Sequence, residues 1–171
     1  QIEKLVNEFS DFARMPKPIF QNNNLVELLN DNIKLLSELD ESIHISLKTN
    51  IKKIILNSDK EQLSRVFFNL IKNSIESIHQ KSEKVTDFVK NIAIELKDDD
   101  NHISFIIEDS GVGFKNLSIN IKDILNPYFT TKINGTGLGL SIVNKIINDH
   151  NGNIDFISKE DGAKIKIIFI K

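Results

Sequence analysis

Asp109 ends an apolar run and is followed at once by Gly111 and Gly113; farther on, Gly135, Gly137 and Gly139 lead into a second apolar segment. Glycine lets backbone N–H groups come close to phosphate oxygens. A helix that starts directly after glycines adds free N–H donors and the positive end of its dipole. Between the two glycine groups lies a long stretch without strong periodicity, broken by the block Pro127-Tyr128-Phe129-Thr130-Thr131-Lys132. Two glycine turns around such a loop point to an anion-binding site with a movable cover. Asn69 and Asn73 share one flank of a helix, with Arg65 and Glu76 beside them, because residues four apart are neighbours on a helix surface. Asparagine is a poor helix former, so the pair has two readings. They are solvated amides in an Asn-rich chain, or amide oxygens turned towards a bound cation and its phosphates.

The elements around these residues follow from hydrophobic period. Leu63, Val66, Phe67, Leu70, Ile71, Ile75 and Ile78 form a core stripe on a helix over about 59–80, opened by a capping box of Ser58 and Glu61. A second helix over about 25–38 starts at Asn24 and Glu27, and a third covers about 137–149. Alternating segments predict strands at IHISLKT and KKIILN with a turn near Asn50, at 91–97 and 102–108 around an acidic hairpin turn, and at IDFIS and AKIKIIFI around Asp161-Gly162. The order predicts an α/β sandwich, with helices on one face of a largely antiparallel sheet. At the start, Ile2, Leu5, Phe9 and Phe12 make an apolar seam that Pro16 and Pro18 end. That helix either folds onto its own domain or is the stump of a dimeric helical bundle.

Bulk composition removes several classes. The 171 residues suffice for one domain with a real core and a small appendage. Net charge is −2, so no basic surface argues for nucleic acid. With 0 cysteines there is no disulfide frame and no thiolate metal site. No apolar run reaches the roughly 18 residues of a bilayer span. The P-loop, the protein-kinase His-Arg-Asp and Asp-Phe-Gly motifs, His-Glu-x-x-His and Gly-x-Ser-x-Gly are all missing. His44, His79, His102 and His150 are scattered, and His150, before a glycine turn, reads as structural.

The set Asn69-x-x-x-Asn73, Asp109-x-Gly111-x-Gly113, Pro127 to Lys132 and Gly135-x-Gly137-x-Gly139 resembles, in this order, the N, G1, F and G2 boxes of the GHKL ATP-binding superfamily. More narrowly it resembles the catalytic domain of sensor histidine kinases. Leu5-Val6 and Phe9 to Pro18 are similar to the end of the second dimerisation helix in NtrY-type nitrogen-regulation kinases. The resemblance implies an α+β two-layer sandwich, the Bergerat fold, with a mixed, mostly antiparallel sheet, helices on one face and a helical stump in front. It divides the chain into 1–18, the end of the second helix of a dimerisation and phosphotransfer domain; 19–24, a linker; and 25–171, the ATP-binding catalytic domain.

The same resemblance implies roles. Asp109, an acceptor-only carboxylate, would take a hydrogen bond from the adenine amino group, and Gly111 and Gly113 would let the chain turn beneath the base. Asn73 would hold Mg2+ through its amide oxygen, with Asn69 beside it in the ATP site. Gly135, Thr136, Gly137, Leu138 and Gly139 would line the phosphates, Lys132 and Thr131 would meet them from the lid, and Phe129 would anchor that lid. ATP-hydrolysing relatives carry a glutamate where this chain has Asn69. A neutral amide takes no proton, which favours a kinase over an ATPase. None of the four histidines has the acidic neighbour of a phosphoacceptor, so no catalytic nucleophile is expected in this chain. Implied partners are its own dimerisation and phosphoacceptor domain, a response-regulator receiver domain and a second copy in the full-length protein, but no nucleic acid. The implied location is cytoplasmic, within an inner-membrane-anchored protein. The alternatives are a GHKL serine kinase or ATPase, and a nucleotide-binding regulatory module.

Overall fold

The computed structural model describes residues 2–114, 121–128 and 136–171. Helix α1, Ile2–Ala13, stops before Pro16, and none of its residues is buried. Strand β1, Gln21–Asn24, lies inside the stretch read as a linker and pairs antiparallel with β3, Ile55–Ser58. Asn24 caps α2, Leu25–Ser37, by accepting from the Val26 N–H, and its side chain also meets Glu27 at 2.9 Å.

Strand β2, His44–Thr49, does not form a hairpin with β3; it runs parallel to β4, Asn91–Asp98. Asn50 explains the separation. Its side chain donates to the Asp98 carbonyl at 2.9 Å and accepts from the Asp98 N–H at 3.0 Å. The residue that looked like a hairpin turn therefore fastens the end of β4, and the chain leaves the sheet there.

Helix α3, Lys60–Ser82, is capped by Asp59, whose carboxylate accepts from the Gln62 N–H at 3.0 Å. The expected cap, Ser58, is fully buried and donates to the Leu56 carbonyl instead. The hairpins of β4 with β5, His102–Asp109, and of β6, Gly152–Ser158, with β7, Ala163–Ile170, form as the alternation predicts. A short 3-10 turn, Ile121–Leu125, buries Ile124. Helix α4, Gly139–Asp149, stops at His150, and Asn151 follows at φ 53°, the left-handed stop common after helices.

The main sheet has the order β2-β4-β5-β7-β6. Its inward rows are Ile92, Ile94 and Leu96 on β4, Ile103, Phe105 and Ile107 on β5, and Ile165, Ile167 and Phe169 on β7. They join one core with the buried faces of α2, α3 and α4. Phe67 of α3 meets Phe105 of β5 with ring centroids 5.1 Å apart. His150 ties α4 to the start of α3. Its Nε2 accepts from the Asp59 N–H at 3.0 Å, so Nδ1 carries the proton and donates to the Ile146 carbonyl at 2.8 Å.

Candidate functional site

Strand period puts Asp109 in the inward row of β5, after Ile103, Phe105 and Ile107, so a carboxylate ends a row of hydrocarbon. It is 8% exposed. Burial pushes its pKa up from the ordinary value. Hydrogen bonds from the Gly111 N–H, the Ser74 hydroxyl and the Ala163 N–H pull the other way, as does the charge of Lys159. Oδ1 accepts from Gly111 at 2.9 Å and from Ala163 at 3.4 Å.

The turn after it is pressed against α3. A Cβ on Gly111 would lie 2.2 Å from Ser77 Oγ and 2.6 Å from the Ser77 carbonyl carbon, so only glycine fits. The Val112 N–H donates to Ser77 Oγ at 3.1 Å. Gly113 has φ +67°, and a Cβ there would lie 2.2 Å from the carbonyl oxygen of Gly162 in the β6–β7 turn. Lys81 donates to the Ser110 carbonyl at 3.1 Å, pairs with Asp161 and lies 4.6 Å from the Phe88 ring centroid.

The other glycine group reaches α3 from its opposite end. A Cβ on Gly139 would lie 3.5 Å from Asn69 Oδ1, and the Asn69 amide donates back to the Arg65 carbonyl at 2.9 Å. Gly137 takes φ 71°, and Leu138, at the N-terminus of α4, is fully buried. Thus Asn69 meets the second glycine group, Ser77 meets the first, and the half-buried Asn73 lies on the turn between. Eight residues of helix separate the outer two by about 12 Å, a span that suits a nucleotide from base to phosphates. Asn73 offers a hard amide oxygen on that span. This fits Mg2+, which takes few protein ligands and keeps waters and phosphate oxygens.

Helix α1 reaches the same region. The Thr136 hydroxyl donates to the Glu8 carboxylate, and Phe9 stacks on Tyr128 with centroids 6.2 Å apart. Arg65 pairs with Asp11 at 3.6 Å, and Gln62 donates to the Pro16 carbonyl at 3.0 Å. The structure thus sets Gly139 against Asn69 and Gly111 against Ser77 on α3, with Asp109 and Gly113 flanking Gly111 and with Thr136, Gly137 and Leu138 leading into Gly139. Phe129, Thr131, Lys132 and Gly135 lie outside the described residues. Sequence reasoning missed Ser77 and Lys81, which hold the Asp109–Gly113 turn. Their spacing of four along α3 was the available signal.

Fold and site together define a nucleotide-binding α+β sandwich, and comparison with known proteins agrees. The model of the histidine kinase-, DNA gyrase B- and HSP90-like ATPase family matches residues 58–171, and the chain belongs to that family. A protein of Rickettsia conorii named as an NtrY-like sensor histidine kinase is 35% identical over 170 residues, 98% of this chain and 27% of its own length. The nitrogen regulation protein NtrY of Azorhizobium caulinodans is 30% identical over 161 residues, 94% of this chain and 20% of its own. The chain thus spans about a quarter of the length of these relatives. The catalytic domain of the histidine kinase ThkA superposes with TM-score 0.73 at 29% identity, covering 90% of this chain and 96% of that one. The expected fold and the NtrY-like kinship both stand. Among the described residues no helix is long and apolar enough to cross a membrane.

Proposed function

We propose that this chain is the ATP-binding catalytic part of an NtrY-like two-component sensor histidine kinase. It delivers the γ-phosphoryl group of ATP to a histidine elsewhere in the full-length protein, and from there the group passes to an aspartate of a response regulator. The observation that carries this is the order along α3. Gly139 stands against Asn69, Asn73 follows one turn on, and Gly111 stands against Ser77 with the Asp109 carboxylate beyond. The adenine amino group donates to Asp109, Gly111 and Gly113 pass beneath the base, and Gly137, Leu138 and Gly139 face the phosphates with Gly135 and Thr136. Lys132 and Thr131 meet the phosphates from the lid that Phe129 anchors. Asn73 would hold Mg2+ through its amide oxygen, and the ion would supply positive charge to offset that of the phosphates. Asn69 offers no base for water, so the phosphoryl group is kept for a protein acceptor.

Residues 1–18 are the end of the second helix of the dimerisation and phosphoacceptor domain, 19–24 connect, and 25–171 form the catalytic domain. The whole protein acts as a homodimer, anchored in the inner membrane with this part in the cytoplasm. ThkA, a structural neighbour, is known in complex with the response regulator TrrA, which supports a receiver domain as partner here.

The test is phosphotransfer with radiolabelled ATP and Mg2+. The chain alone should stay unlabelled, because His44, His79, His102 and His150 sit in a strand, at a helix end, at a hairpin and in a structural bridge. A separately supplied helical segment of the full-length protein carrying the acceptor histidine should become labelled, slowly, because docking replaces a covalent tether. Acid-labile label on the chain alone, or none on the added segment, would overturn the reading.

A further inference from the structure

The chain turns away from β5 after Asp109, and the next three backbone N–H groups all have partners. Ser110 donates to the Asn91 carbonyl at 3.1 Å, Gly111 to Asp109 Oδ1 at 2.9 Å and Val112 to Ser77 Oγ at 3.1 Å. The Ser110 carbonyl accepts from Lys81 Nζ at 3.1 Å. Ser77 and Lys81 are four apart on α3, so both face this turn. Lys81 holds more than one carbonyl. Its ammonium also pairs with Asp161 in the β6–β7 turn, and it lies 4.6 Å from the centroid of the Phe88 ring in the connector from α3 to β4. Only 14% of the Lys81 side chain is exposed, against 72% for Asp161. Taking an ammonium out of water is costly unless it is paired and hydrogen-bonded. An apolar side chain could pack on Phe88 at this place, but it could not hold a carbonyl and a carboxylate from two separate turns.

We infer that Lys81 is a positioning residue for base recognition: it clamps the turn after Asp109 to the β6–β7 turn, and so fixes the direction in which Asp109 presents its carboxylate to the amino group of adenine. The inference rests on the proposed role of Asp109. Two backbone N–H groups aim that carboxylate. Gly111 donates to Oδ1 from one turn, and Ala163 donates to the same oxygen at 3.4 Å from the other. Lys81 ties down both turns, through Ser110 beside Gly111 and through Asp161 two residues before Ala163. Ser77 sets the place of Gly111 from the same face of α3. The turns fit closely besides, since a Cβ on Gly162 would collide with the Asp109 carbonyl oxygen. A hydrogen bond weakens steeply away from its preferred angle. An acceptor that swings with a loose turn therefore loses the amino group, while a turn already fixed has little ordering left to supply when the base arrives.

The experiment compares affinity for ATP with that for purine riboside triphosphate, which lacks the amino group. In the wild type ATP should bind about 10- to 150-fold tighter, as expected for a hydrogen bond to a charged group. In Lys81→Met, which keeps the packing on Phe88 and removes the donors, that ratio should fall by about three- to tenfold. A merely structural lysine would weaken both nucleotides alike and leave the ratio unmoved, which would overturn the inference. A thermal melt shows whether Lys81→Met folds. If it does not, Asp161→Ala decides: it alters an exposed side chain and releases Lys81 from the β6–β7 turn, and its ratio should fall by about two- to threefold. An unmoved ratio there overturns the inference in the same way. Asp109→Asn serves as reference. If it abolishes the ratio while the deciding variant leaves it intact, the positioning role fails and the base-binding role stands. If Asp109→Asn leaves the ratio intact as well, both fail.

Discussion

At the scale of single residues, stability stands against the recognition proposed for Asp109. Its folded pKa is raised by burial, even with three hydrogen bonds opposing. For an acid with a raised folded pKa, the neutral form is the one the fold prefers. The stabilising contribution is therefore full below the unfolded carboxylate value, about 3.9, and is lost as pH rises through the folded pKa. At neutral pH the ionised group weakens the nucleotide-free fold. Asp109→Asn keeps an oxygen for the Gly111 N–H and removes the charge, so it should raise the melting temperature at pH 7 while abolishing preference for adenine. The gain should disappear near pH 4. Thermal melts at both values check this, and an unchanged or lowered melting temperature at pH 7 counts against it. Asp109 was legible as a site residue from the glycines beside it. Ser77 was not, because a serine on α3 gains meaning only when the turn packed against it is known.

Among the elements, α1 is the one that reaches the site without belonging to the sandwich. Its Glu8 carboxylate takes the Thr136 hydroxyl, just before the glycine and the helix N-terminus proposed to receive phosphates. A carboxylate there repels a polyphosphate. Glu8→Gln should raise affinity for Mg-ATP by about three- to tenfold at low ionic strength, and the gain should shrink as salt screens it. Calorimetry at two salt concentrations reads this directly; equal affinities in wild type and variant would show that α1 leaves the phosphate end alone. Local pattern revealed α2, α3, α4 and the two long hairpins, since each follows a period that its own residues set. It did not reveal β1, whose Gln21-Asn22-Asn23-Asn24 has little strand preference and is extended because β3 pairs with it. Nor did it reveal that β2 joins β4, a parallel pairing across the whole of α3. Such partners are decided by distant residues, Asn50 on Asp98 among them.

For the whole molecule, acid stability should follow the carboxylates that the fold holds ionised. Asp40 lies at about 2, lowered by the Ser42 hydroxyl and by His79, with the Ser42 N–H adding to them. Glu108 is lowered by Lys159 and Lys164. An acid with a depressed folded pKa contributes stability above its unfolded value, and that contribution is lost as pH falls through the folded one. Asp40→Asn should therefore be less stable than wild type at pH 5, with the gap closing between about pH 4 and pH 2. Denaturant midpoints across that window provide the measurement, and a gap independent of pH would sink the assignment. The sheet order has a consequence for synthesis. β7 is made after every other described strand, yet it lies between β5 and β6, and its first residue, Ala163, donates to Asp109. A chain emerging from the ribosome has β5 and β6 with no strand to join them, and Asp109 with one backbone donor missing. The proposed adenine end of the site forms only when β7 arrives, so nucleotide should favour finished chains by mass action and offer nothing to those cut short before Ala163.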